Sequence, residues 1–101
     1  MTEIYRDYEP QLVGLLASFE ADLSPDAVGH VRHYIGVGEY EMAFESLVLS
    51  LMEEGVSVSA SAVDEIAVLG AGLNMEEEAV FRADFWEVTV RWLQALQRND
   101  S

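Results

Sequence analysis

Apolar side chains recur along this chain at the three-and-four spacing of helices. In residues 8–23, Leu12, Leu15, Leu16, Phe19 and Leu23 form one stripe, while Glu9, Gln11, Glu20 and Asp22 fall largely outside it, which predicts a first amphipathic helix. Ser24-Pro25-Asp26 then reads as an N-cap, a first-turn proline and an acid at the positive end of the helix dipole. A second helix follows with Val28, Val31 and Ile35 inward, ended by Gly36 and Gly38. In residues 39–54, Tyr40, Ala43, Phe44, Leu47, Val48 and Leu51 share one face and Glu41, Glu45, Ser46 and Ser50 lie toward the other, with Gly55 as the stop.

Val56-Ser57-Val58-Ser59 alternates like a strand but has no evident partner, so an extended connector is expected. Ser61 and Asp64 before Ile66 and Leu69 suggest a short fourth helix, weakened at its end by Gly70 and Gly72. Asn74 with Glu77 three residues on gives a cap signal for a long last helix, about 74–97, whose first turn carries Glu76, Glu77 and Glu78. At 100° per residue this helix has two apolar stripes. Phe81, Phe85, Val88, Trp92 and Leu96 make a broad core-facing side, and Trp86, Val90 and Leu93 make a narrower one. The second stripe either packs inside the bundle or is an exposed anchor, for a partner or for a second copy in a homodimer. The expected fold is all-α: one domain over residues 1–101, a compact bundle of about five helices with an extended connector at 56–59.

Charge changes the picture more than composition does. Nineteen acidic residues face five arginines and no lysine, a formal net charge of −14. That charge repels nucleic acid and anionic membrane surfaces and speeds encounter with basic proteins, although it also serves solubility. The absence of cysteine excludes disulfides and thiolate chemistry and fits a reducing compartment. Residues 1–7 have neither a basic segment nor a long apolar run, and no stretch approaches a membrane span, so a cytoplasmic protein is expected.

No catalytic constellation stands out. His30 and His33 have a spacing that can present two imidazoles to zinc, but no third ligand is evident, so no metal or other cofactor is expected. The carboxylates fall mostly on solvent faces rather than in a cleft, and there is no nucleophile elbow, phosphate loop or calcium loop. The chain is read as a non-enzyme that acts by recognition.

The run Gly38-Glu39-Tyr40-Glu41-Met42-Ala43-Phe44-Glu45-Ser46-Leu47, followed by Leu51-Met52-Glu53-Glu54 and Val56-Ser57-Val58-Ser59, resembles the central signature of the MafI-type immunity proteins. Ile66-Ala67-Val68-Leu69-Gly70 and residues 73–77 continue the likeness, which spans about 35–78. Ser57 stands where the family is expected to carry proline, and Met52 where an aromatic is common. The resemblance implies a small cytoplasmic protein that binds and neutralises the C-terminal domain of a cognate polymorphic toxin. Many such toxins are nucleases with basic grooves, which an acidic partner complements. The residues expected to meet the toxin are Glu39, Glu41, Glu45, Glu53 and Glu54 on the third helix, with Glu41 and Glu45 one turn apart on its outer face, and Trp86, Val90 and Leu93 on the last. Two other readings stay open: an acidic DNA mimic that inhibits a nucleic-acid-binding protein, and a non-catalytic helical adaptor or homo-oligomer.

Overall fold

The computed structural model describes residues 8–99, so the reading of residues 1–7 lies outside the described residues. They fold into six helices: α1 (Glu9–Phe19), α2 (Pro25–Gly36), α3 (Tyr40–Glu53), α4 (Ala60–Gly72), α5 (Met75–Glu78) and α6 (Phe85–Asn99). No strand occurs among the described residues, and 56–59 is an extended connector. The all-α expectation holds, with six helices rather than five.

Local chemistry sets most of the boundaries. Ser24 Oγ accepts from the Ala27 N–H at 3.2 Å, the cap expected of it, and Pro25 occupies the first turn of α2. At the other end of α2, Gly38 takes a left-handed φ of 78°, its N–H donating to Ile35 O at 3.1 Å and the Glu39 N–H to Tyr34 O at 2.9 Å. The same pair of closing bonds ends α3 at Gly55, from Gly55 N to Met52 O and from Val56 N to Leu51 O. The N-cap of α4 is Ser59, which accepts from the Ala62 N–H, rather than Ser61.

α1, α2 and α3 pack on one another, with α2 and α3 the most extensive pair; α4 joins through α1, and α6 lies across α4 and α5. α3 runs through the middle, with Ala43, Phe44, Leu47, Val48 and Leu51 all fully buried. Tyr40 is only half-buried at its start, its hydroxyl donating to Glu9 Oε1 at 3.3 Å. The centre of the core brings Leu12 and Leu15 of α1, Phe44, Ile66, Met75 and Phe85 together. Phe44 and Phe85 meet edge to face with centroids 6.1 Å apart, an aromatic geometry that adds to their area burial.

The long last helix is the main correction. Asn74 is not its N-cap: its side chain caps nothing, and at φ 59° it is the left-handed residue that ends α4, its N–H donating to Ala71 O. After the single turn of α5 the chain leaves helical geometry at Ala79 and re-enters it at Phe85. The two stripes are corrected as well. Phe85, Thr89 and Leu93 form one buried line that runs between them, flanked by half-buried Trp86 and Val90 on one side and Val88 and Trp92 on the other. Leu93 is 5% exposed and faces the core, so it is no part of an open anchor. Thr89 Oγ1 is buried there without a hydrogen-bond partner.

Candidate interaction surface

Glu45 explains the break. Its position in the polar pattern of α3 places it on the solvent side, yet it is completely buried. The segment between α5 and α6 lies over it, and three consecutive backbone amides point at its carboxylate. Oε1 accepts from the Val80 N–H at 2.7 Å, and Oε2 accepts from the Phe81 and Arg82 N–H groups at 3.0 and 2.9 Å. A carboxylate is acceptable in an interior when its lone pairs are filled in this way, and these bonds to an ionised acceptor are the stronger kind. The expected outer-face pair of Glu41 and Glu45 therefore does not exist: Glu41 is half-exposed and Glu45 is internal.

This clip determines what the 79–84 segment shows to solvent. Val80 is 62% exposed and Phe81 46%, although the helical spacing places Phe81 in the core. The Phe81 ring lies 5.7 Å from that of Tyr34 on α2. Arg82 turns back to Asp84, with Nε 2.5 Å from Oδ1. That hydrogen bond and charge hold the Asp84 carboxyl below the usual carboxylate range and raise the Arg82 guanidinium. Both groups are open to solvent, so the pair orders the loop more than it stabilises the fold.

The other expected contact residues fall in separate places. Glu39 is exposed beside the α2–α3 turn, whereas Glu53 and Glu54 lie at the far end of α3, about 20 Å away by helix rise. Glu54 ties two helices together. Its carboxylate accepts from the Ser24 N–H at 2.9 Å and from the Ser24 hydroxyl at 2.8 Å, joining the end of α3 to the start of α2. Glu53 stays open to solvent. Trp86 is half-buried and seated against Gly70, where even a Cβ would stand 2.3 Å from the ring. The glycine read as a weak point of α4 is thus the space the indole occupies. With Val90, Trp86 lines a surface groove of about 440 Å³ whose rim includes Glu76 and Glu87.

The positive charge is mostly matched locally. Arg32 pairs with Glu20, Arg82 with Asp84, and Arg91 with Glu87 at 2.6 Å. The side chains of Asp22, Asp26, Glu39, Glu53, Asp64, Glu65, Glu76, Glu77 and Glu78 are exposed and make no hydrogen bond or ion pair among the described residues. His30 and His33 are exposed, and no group of three or more His, Asp and Glu side chains among the described residues is placed to hold a metal. No described helix is long and apolar enough to cross a membrane. Comparison with family models, with curated proteins and with solved structures finds no match.

Proposed function

We propose that this chain is an immunity-type binding protein, which acts in the cytoplasm by occupying the basic surface of a cognate toxin domain, a nuclease in the first instance. The observation that carries this reading is the acid left over once the arginines are accounted for. Three arginines are tied to near neighbours, and the unpaired carboxylates are spread over α2, α3, α4, α5 and the turns before α2 and α3 rather than gathered in one cleft. A wide, one-signed surface steers a cationic protein toward contact and repels nucleic acid. The likeness of residues 35–78 to the MafI-type signature supports the choice of a toxin as that cation.

The test is a titration of toxin activity. A toxin C-terminal domain from a neighbouring gene, assayed on its nucleic-acid substrate, should lose its activity as the chain approaches an equimolar amount. A toxin domain that keeps its activity in excess of the chain would overturn the proposal.

A further inference from the structure

Scattered exposed apolar side chains are ordinary on a protein surface, but a cluster held in place at a cost is not. Burying a carboxylate carries a large desolvation penalty that only well-placed donors offset. A helix continued through 79–84 would have satisfied the same backbone amides with no buried charge. Here Glu45 instead fixes the amides of residues 80–82, and the side chains of Val80 and Phe81 are turned to solvent. Phe81 leans on Tyr34, and Val37, 58% exposed, follows Tyr34 by one turn at the end of α2.

We infer that Tyr34, Val80 and Phe81 form a preorganised apolar anchor for a cationic protein that carries exposed aliphatic side chains between its basic residues. The inference rests on the proposed function and gives its diffuse charge a point of attachment. Charge selects the occupant: a second copy would bring −14 against −14, whereas a basic partner is attracted from a distance and then meets apolar surface. Aromatic side chains suit the centre of such a contact, and a loop already fixed loses little freedom on binding.

Two acetylated, amidated nonapeptides serve as probes of the full-length chain at low salt, one alternating arginine with leucine and one alternating arginine with serine. The arginine–leucine peptide should bind at least about fivefold tighter and shift the amide resonances of residues 80–82. Phe81→Ser, at an exposed position, should bring the two affinities within about twofold while leaving the unfolding midpoint unchanged. If Phe81→Ser leaves the preference for leucine intact, the anchor is wrong and the acidic-surface reading stands. If neither peptide binds the unmodified chain, both fail. A concentration-dependent dimer abolished by Phe81→Ser would assign the patch to a second copy and overturn the proposal.

Discussion

Glu45→Ala should destabilise the protein by about 3 to 5 kcal/mol, as expected when one partner of a buried charged network is removed. The substitution strips the acceptor from the N–H groups of Val80, Phe81 and Arg82 and opens a gap beside α3. Each buried donor left unpaired costs about 1 to 3 kcal/mol, reduced here because the loop side chains border solvent and water can enter. Glu45→Gln, which keeps an acceptor oxygen, should lose less. The loss is read by chemical denaturation, and hydrogen exchange should show the amides of 80–82 unprotected while those of α3 remain slow. A cost below about 1 kcal/mol for Glu45→Ala would mean that the carboxylate does not hold the loop.

Phe44→Ala should cost a similar amount, about 3 to 5 kcal/mol, by a different mechanism. The ring is fully buried on the central helix, meets Phe85 edge to face, and lies close to Gly70, so its removal leaves a cavity where α3, α4 and α6 converge. That is a large share of the roughly 5 to 15 kcal/mol that holds a small domain together. Unlike Glu45→Ala, it should destabilise the molecule without selectively freeing the 79–84 amides. A cost under about 1 kcal/mol would place the ring outside the core.

The contrast between these two residues marks what the sequence makes legible. Phe44 belongs to a stripe with Leu47, Val48 and Leu51, and local periodicity places it correctly. Ser24 and Gly55 are equally readable, because an N-cap and a left-handed stop are local chemistry. Glu45 is opaque for the opposite reason: pattern assigns a carboxylate to solvent, and its partners are backbone groups 35 to 37 residues away that carry no side-chain signature. The break at 79–84 follows from the same long-range contact and so escapes a local reading as well. One local signal of it exists, Asp84 followed three residues on by Glu87, the spacing of a helix start. Asn74 offers the same spacing to Glu77, but the backbone there is left-handed and serves as the end of α4. Moving the helix start to Phe85 removes Phe81 from the core stripe, which is why the exposed patch is hidden in the sequence.

If unpaired surface acid draws this chain to a cationic partner, the rate of their encounter must depend on salt. Association with the toxin domain, followed by stopped flow between low and high ionic strength, should slow by about tenfold or more, while the dissociation rate changes far less, because screening acts on the encounter. An association rate that is indifferent to salt would contradict that attraction and the function built on it.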